Sequence, residues 1–278
     1  MPNTARLCIM NLDLHGIGAD PCPIVSGKDS LAAHPGERFP LVLTNPPFGK
    51  KSSIAVVNEE GELEKEEFVY ERQDFFTATK NKQLNVLQHA ASVLTVNGRC
   101  AIVAPDNVLF EGGAGEAVRR RLLQQFDVHT RLRLPTGIFY APGVKANVLF
   151  FDARPGREAA WTSTLWVHDL RTNLHFTLKT NPLRRSDLDE FVACYRPGDR
   201  HHRTPTWSEK DPDGRWRAFG YEELVKRDKV NLDIVWLKDR SLEDSDDLPE
   251  PDELAQEVAD DLQTALDQFQ RIADKLKA

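Results

Sequence analysis

Asn45, Pro46, Pro47 and Phe48 are the residues of this chain whose types and order most directly suggest chemistry. They follow the apolar run Phe39-Pro40-Leu41-Val42-Leu43-Thr44, which reads as a short buried strand, and they precede the basic loop Gly49-Lys50-Lys51-Ser52-Ser53. A stiff polar turn is therefore expected at the carboxyl end of a strand, where open α/β sheets place their ligands. The Asn45 carboxamide oxygen can accept a hydrogen bond from an amine. Pro46 offers a carbonyl without a competing N–H, Pro47 stiffens the turn, and Phe48 presents a flat face for a base to stack on. Two fixed acceptors and a stacking face suit methylation of an amino group on a planar ring. The lone pair of such an amine is delocalised into the ring, and acceptors on its hydrogens favour the pyramidal geometry needed for attack. A stiff loop after a strand is the plainer reading, since two prolines produce one unaided.

The surrounding elements must position that turn. Apolar spacing at Leu7, Met10 and Leu14 predicts a helix over about residues 4–14, followed by a strand near residues 23–26. Residues 50–77 are charged and poorly periodic, and read as a loop or lid. A helix is expected over residues 81–95, with Leu84, Leu87, Ala91 and Leu94 on its buried stripe. Asn97-Gly98 would end it and start a strand at residues 99–104. The Gly-rich stretch Glu111-Gly112-Gly113-Ala114-Gly115-Glu116 lacks G-x-G-x-x-G spacing and reads as the entry to a helix through residues 116–125. Strands over residues 129–134 and 146–152 follow, able to pair as an antiparallel hairpin. This alternation predicts a mostly parallel sheet.

The chain resembles the modification (M) subunit of type I restriction–modification systems, an adenine-N6 DNA methyltransferase. The resemblance rests on Arg6-Leu7…Met10-Asn11-Leu12…Leu14-His15-Gly16, Gly27-Lys28-Asp29-Ser30-Leu31 and Leu43-Thr44-Asn45-Pro46-Pro47-Phe48-Gly49-Lys50-Lys51. It continues through Gly98-Arg99-Cys100-Ala101-Ile102-Val103-Ala104-Pro105-Asp106, Lys145-Ala146-Asn147-Val148-Leu149-Phe150-Phe151 and Asn231-Leu232-Asp233-Ile234…Trp236-Leu237. It implies an α/β fold, a truncated class I (Rossmann-like) S-adenosylmethionine-dependent methyltransferase sheet, with an α+β and helical C-terminal region. The Gly-rich cofactor loop of such enzymes lies upstream of the helix that opens this chain, so the sequence looks like the C-terminal portion of a modification subunit. The resemblance further implies roles for single residues. Asn45, Pro46, Pro47 and Phe48 look like the catalytic motif. Asp29 looks like the carboxylate that contacts the cofactor adenine, with an ordinary helix N-cap, and Ser30 in its place, as alternatives. Phe139 looks like the aromatic stacking on the other face of a flipped adenine; Tyr140 and a core role compete. The implied cofactor is S-adenosyl-L-methionine. The implied partners are DNA, a specificity (S) subunit, a restriction (R) subunit and a second M subunit.

Composition narrows the classes. The chain has 278 residues, 40% of them hydrophobic, and its longest apolar runs are strand-sized, so no membrane span is expected. Four scattered cysteines without a C-x-x-C pair argue against a zinc site or disulfide framework and fit a cytoplasmic protein. No metal is expected. The net charge is −7, so a grip on DNA through phosphates would rely on a partner subunit. The clusters Lys50-Lys51, Arg119-Arg120-Arg121 and Arg184-Arg185 read as solvated faces before phosphate contacts.

Residues 1–155 are expected to form the partial methyltransferase domain and residues 156–278 a C-terminal region for subunit assembly. Within the latter, residues 161–171 and 174–180 can form a hairpin and residues 186–193 a short helix, and Trp207, Trp216 and Phe219 can pack or bind. Residues 250–277 form an amphipathic helix with a stripe from Leu254 to Leu276, which packs on its own domain or joins the coiled coil of a specificity subunit. Two other readings stand beside DNA methylation: a non-catalytic assembly remnant, and a protein glutamine methyltransferase, whose motifs are also of the Asn-Pro-Pro-aromatic type.

Overall fold

The computed structural model describes residues 2–18, 24–25, 28–48, 53–57, 63–67, 69–140 and 143–240. Two compact units are present, Met1–Trp236 and Leu237–Ala278; every element below belongs to the first. The expected terminal helix, with its stripe from Leu254 to Leu276, lies outside the described residues, as does the basic loop at residues 49–52.

Six strands form one sheet: β1 (Phe39–Thr44), β4 (Leu94–Pro105), β6 (Ala146–Ala153), β5 (Phe126–Arg133), β7 (Thr164–Asp169) and β8 (Trp216–Gly220), in that spatial order. The sheet is mixed, which corrects the expectation of a mostly parallel one. Only β1–β4 and β5–β7 pair in parallel; β4–β6, β5–β6 and β7–β8 are antiparallel. The cause is β6, which returns from β5 as the expected hairpin but inserts between β5 and β4, opposing both. Beyond residue 155, β7 and β8 extend the same sheet.

Side chains alternate between the two faces. On one face Cys100, Ile102 and Ala104 of β4 and Leu149 and Phe151 of β6 pack under α2 (Lys82–Ser92) and α4 (Ala114–Gln125), meeting Leu84, Leu87, Leu122 and Leu123. On the other face Leu132, Ala146 and Trp216 form a second cluster with Phe191 of α5 (Asp189–Tyr195). Burying each leucine, isoleucine or phenylalanine among them contributes roughly 1.5–3 kcal/mol, so these two clusters hold the layers together. The start of α2 follows from Asn81, whose Oδ1 accepts from the N–H groups of Gln83 at 3.0 Å and Leu84 at 3.2 Å.

Several elements depart from the sequence reading. The run ending at Thr44 is not buried. It is the sheet's edge, where Phe39, Leu41 and Leu43 stay exposed while Val42 packs against the core. Residues 24–25 are irregular, and the rest of the strand expected near residues 23–26 lies outside the described residues. Within residues 50–77 an antiparallel hairpin joins β2 (Ser53–Val57) to β3 (Leu63–Glu67), as the β-branched run Ile54…Val56-Val57 favours. Asn97-Gly98 does not separate helix from strand: α2 ends at Ser92, and the pair sits inside β4 as a bulge, Asn97 at φ 64°. The register with β1 accordingly jumps from Phe39↔Leu94 to Leu41↔Arg99. Residues 174–180 form no hairpin with β7. Its antiparallel partner is β8, and the Trp166 and Trp216 rings stack at 5.3 Å across that pair. The Gly-rich stretch does lead into a helix, α4, with Gly113 at φ +61° before it.

Arg119, read with Arg120 and Arg121 as a solvated cluster, is buried. Its guanidinium donates to the carbonyls of Val108 (2.8 Å), Glu111 (2.6 Å), Lys229 (2.7 Å) and Val230 (2.9 Å). It thereby holds the segment after α6 (Tyr221–Lys226) against α3 (Asn107–Phe110).

A second charged cluster ties β5 to β6. Asp152 lies 3.4 Å from His129 Nε2 and 2.5 Å from Arg200 Nη2. The Thr130 hydroxyl meets His129 Nδ1 at 2.8 Å, so a neutral imidazole can accept there and donate to Asp152. Burial lowers the His129 pKa, in keeping with that neutral form. Burial would raise the Asp152 pKa, but hydrogen bonds from His129 and Arg200 outweigh it and bring it down to about 2. A carboxyl depressed in the folded state stabilises fully above its unfolded value, near 3.9, and loses that contribution as pH falls through the folded value. The stability that disappears between about pH 4 and pH 2 is roughly 2–3 kcal/mol. Asp152→Asn should flatten the acid limb of a urea-stability profile across that window; an unchanged limb would show that Asp152 is not responsible.

Candidate active site

The turn formed by Asn45, Pro46, Pro47 and Phe48 leaves the carboxyl end of β1. β1 and β4 run in parallel with Thr44 opposite Ile102, so the turn continues alongside the last residues of β4. Pro46, Pro47 and Phe48 line a crevice with Ile102, Val103, Ala104 and Pro105 of β4, Gln83 and Leu87 of α2, and Val108 of α3. The floor is apolar and belongs to the main core, which fixes the backbone of the turn. Asn45 itself is exposed and has no hydrogen-bond partner among the described residues, so its carboxamide is available to a ligand.

Phe139 stands in the loop between β5 and β6, 91 positions beyond Phe48. The structure brings these two aromatic rings together, with centroids 5.3 Å apart and planes at 88°. An edge-to-face pair at this distance leaves no slot between the rings. A planar base stacked on both would hold them about 7 Å apart, two van der Waals separations, with their planes turned parallel. Tyr140, the local competitor, is 95% exposed, whereas Phe139 packs at the margin of the second core cluster. That loop is pinned by Gly137, at φ +82°. A Cβ there would lie 1.9 Å from the Phe176 carbonyl oxygen, so glycine alone allows the approach.

Asp29 opens a turn at residues 29–33, outside the six-stranded sheet. Its Oδ1 accepts from the Leu31 N–H at 3.0 Å and its Oδ2 from the Tyr70 hydroxyl at 2.5 Å. Both carboxylate oxygens are engaged, yet the residue stays exposed and each oxygen keeps a lone pair for a further donor. No distance joins Asp29 to Asn45 or Phe139 directly; Leu31 and Tyr70 form a small separate cluster with Phe75, against which Val86 of α2 packs.

Sequence reasoning missed the polar network behind the site. Asp106, at the junction of β4 and α3, receives Arg171 at 2.7 and 3.0 Å and the Asn147 amide at 2.8 Å. Burial would raise the Asp106 pKa, but the Arg171 and Asn147 hydrogen bonds hold it below the usual value. Arg171 also donates to the carbonyls of Leu134 and Ala146, both at 2.7 Å, clamping the two ends of the loop that carries Phe139. Part of the signal is local: Asp106 ends the stretch at residues 98–106 and Asn147 lies within residues 145–151, but nothing local points to Arg171.

A family model described as N-6 DNA methylase matches residues 1–234. The chain belongs to that family. It is 38% identical over 309 aligned positions to the type I restriction enzyme EcoKI methylase subunit of Escherichia coli K12, and equally so to the StySPI methylase subunit of Salmonella potsdam. Both alignments cover the whole of this chain and 55% of the relative, so this methylase-family chain spans about half the length of those proteins. The crystal structure of the EcoKI M protein superposes with a TM-score of 0.71 at 34% identity, covering 100% of this chain and 59% of that one. A structure of a type I restriction–modification system, described for its complex assembly and conformational transition, gives a TM-score of 0.62 at 27% identity, covering 97% and 51%. The family model describes DNA methylases, which favours DNA over a protein glutamine as the substrate class of the family. The mixed sheet with helices on both faces matches the class I methyltransferase fold of the M subunits.

Proposed function

We propose that this chain carries the target-base half of an adenine-N6 DNA methyltransferase, within a modification subunit of a type I restriction–modification system. The observation that carries the reading is the meeting of Phe48 and Phe139 beside the exposed Asn45 carboxamide, since the two rings come from loops far apart in sequence. In this reading an adenine leaves the duplex and enters between Phe48 and Phe139, whose rings separate and turn parallel to admit it. The Asn45 side-chain oxygen and the Pro46 carbonyl accept the two N6 hydrogens and draw the nitrogen toward a pyramidal geometry. Pro47 holds the turn rigid, so little reorganisation is needed at the moment of reaction. Positioning supplies the rest, because an oriented amine meets the donor carbon as if at very high local concentration.

The methyl donor is S-adenosyl-L-methionine, which supplies an electrophilic methyl group when bound. The donor set fits in part: Asp29 can accept from an adenine amine, while the Gly-rich stretch at residues 112–115 is committed to entering α4 and packs against Lys229 and Arg119. Residues 1–155 would bear the reaction site and residues 156–278 the assembly surface, with DNA, a specificity subunit, a restriction subunit and a second modification subunit as partners. A cytoplasmic location agrees with the lack, among the described residues, of a helix long and apolar enough to cross a membrane.

The chain alone is expected to be inactive, so the test is methyl transfer from tritiated cofactor to DNA by the intact modification subunit, with N6-methyladenine identified in the hydrolysate; label on any other atom would refute the reading. A second measurement addresses Phe139. Phe139→Ala should weaken binding of DNA containing an unpaired adenine analogue by about 1–3 kcal/mol, the value of one stacking contact, and leave cofactor affinity unchanged. An unaltered fluorescence response of the analogue would reassign the stack.

A further inference from the structure

We propose that the loop at residues 175–182 is a DNA clamp, in which Lys179 holds a backbone phosphate and Leu178 packs against the strand beside the displaced adenine. This deepens the DNA-methylation reading and rests on it.

Three observations converge on this loop. The first is its attachment. Leu174 and Leu183, at its two feet, pack into the same cluster that holds Ile138 and Phe139. Between the feet, the Phe176 carbonyl lies so close to Gly137 that no Cβ fits there. The loop therefore packs directly against the turn carrying Phe139. The second is its internal order. The Thr177 N–H donates to the Asn181 carbonyl at 2.9 Å. The Thr177 hydroxyl oxygen accepts from the N–H groups of Thr180 at 3.1 Å and Asn181 at 2.8 Å, and the Asn181 amide donates to the His175 carbonyl at 2.6 Å. Such a loop loses little conformational entropy on binding. The third is what this rigid turn displays. Its tip presents Leu178, 44% exposed, next to Lys179, which is exposed and has no ion-pair partner among the described residues.

Charge selects the partner. The chain carries a net −7, yet residues 170–186 contain Arg171, Lys179, Arg184 and Arg185 and no carboxylate. Arg171 is committed to Asp106 and Arg185 to Asp189, so they hold the surroundings together and leave Lys179 at the tip for an anion. An apolar side chain beside a cation is the pair that DNA-deforming proteins use: the cation neutralises a phosphate, and the apolar group occupies space next to an unstacked base. Here that pair lies on the loop packed against the turn that carries Phe139, so phosphate capture would also set the base-stacking ring against the strand.

The experiment uses the intact modification subunit assembled with its specificity subunit and fluorescence anisotropy at low and rising salt, with two labelled duplexes, one fully paired and one with a single unpaired adenine. Lys179→Ala should raise Kd several-fold and reduce the slope of log K against log salt by about 0.9, one released counterion. Lys179→Arg should restore the slope. Lys210→Ala, on the separate turn at residues 208–211, removes the same charge and should leave the slope unchanged. Leu178→Ala should weaken binding of the paired duplex more than that of the duplex with its adenine already unpaired. A Lys179→Ala slope equal to that of the unsubstituted assembly, or an equal change in Lys210→Ala, would overturn the clamp while leaving the DNA reading intact. Failure of the unsubstituted assembly to bind either duplex at low salt would overturn both. All variants change exposed side chains, and matching thermal melts would confirm that folding is not the variable.

Discussion

Asn45→Ala in the intact enzyme is expected to reduce methyl transfer to DNA by at least about 100-fold while leaving the thermal melt unchanged. The two halves of that result have separate physical grounds. The side chain is exposed and makes no hydrogen bond among the described residues, so its removal creates no cavity and orphans no partner. Surface substitutions of this kind usually change stability by no more than about 0.5 kcal/mol. In the proposed reaction, however, the carboxamide oxygen is one of two acceptors aimed at the amine, and losing one preorganised hydrogen-bonding group typically costs 100-fold to 1,000-fold in turnover. Asn45→Asp separates geometry from charge. It keeps an acceptor oxygen in the same place, so activity well above that of Asn45→Ala is expected from it. The measurement is incorporation of tritiated methyl into DNA alongside a melting curve for each protein. Turnover by Asn45→Ala at the unsubstituted rate would remove Asn45 from the mechanism; a collapsed melt would show that its role is structural.

The candidate site was legible in the sequence because the residues proposed for it are local. Four consecutive residues offer the acceptors, the stiffness and one stacking face, and a turn after a strand needs no long-range information to recognise. The hairpin of β5 and β6 was legible for the same reason, being two apolar runs joined by one loop. What escaped depends on residues far apart. The run at residues 39–44 is apolar enough to read as buried, but Phe39, Leu41 and Leu43 are exposed at the sheet's edge. Asn97-Gly98 is a common turn signal, but a bulge inside a strand uses the same left-handed conformation. The pairing of β7 with β8 bridges some forty residues and is settled by Trp216 stacking on Trp166, which no local pattern encodes. Arg119 was misread for a related reason. Three successive arginines suggest a solvated face, but on a helix successive residues point in different directions, and only one of the three faces the core.

Buried arginines are also where stability is most exposed to a single change. Arg131→Ala should destabilise the protein by about 3–5 kcal/mol, a large share of the 5–15 kcal/mol typical of a whole domain. Arg131 is fully buried in the middle of β5. Its Nε donates to Asn147 Oδ1 at 2.8 Å, one terminal nitrogen donates to the Leu232 carbonyl at 2.6 Å, and the other meets Asp233 Oδ1 at 2.8 Å. Burial pushes its pKa down to about 10, so it stays charged at neutral pH and needs every one of those partners. Removing the side chain leaves a void, a buried carbonyl and a carboxamide oxygen without donors, and Asp233 without its cation. Asp233→Ala is the informative contrast. Asp233 is partly exposed, and its loss leaves the guanidinium still bonded to Asn147 and Leu232, so a cost near 1 kcal/mol is expected. Lys in place of Arg131 should recover little, because a single ammonium cannot span three acceptors arranged for a planar fork. Urea denaturation of the three variants distinguishes these costs. Equal midpoints for Arg131→Ala and Asp233→Ala would mean that the ion pair alone matters. The expected ordering, with Arg131→Ala and Arg131→Lys far below Asp233→Ala, would locate the stabilisation in the backbone carbonyl of the Asn231-Leu232-Asp233 segment. That segment closes the matched region of the chain, and Asn147, held by the same guanidinium, passes the constraint through Asp106 to the floor of the site.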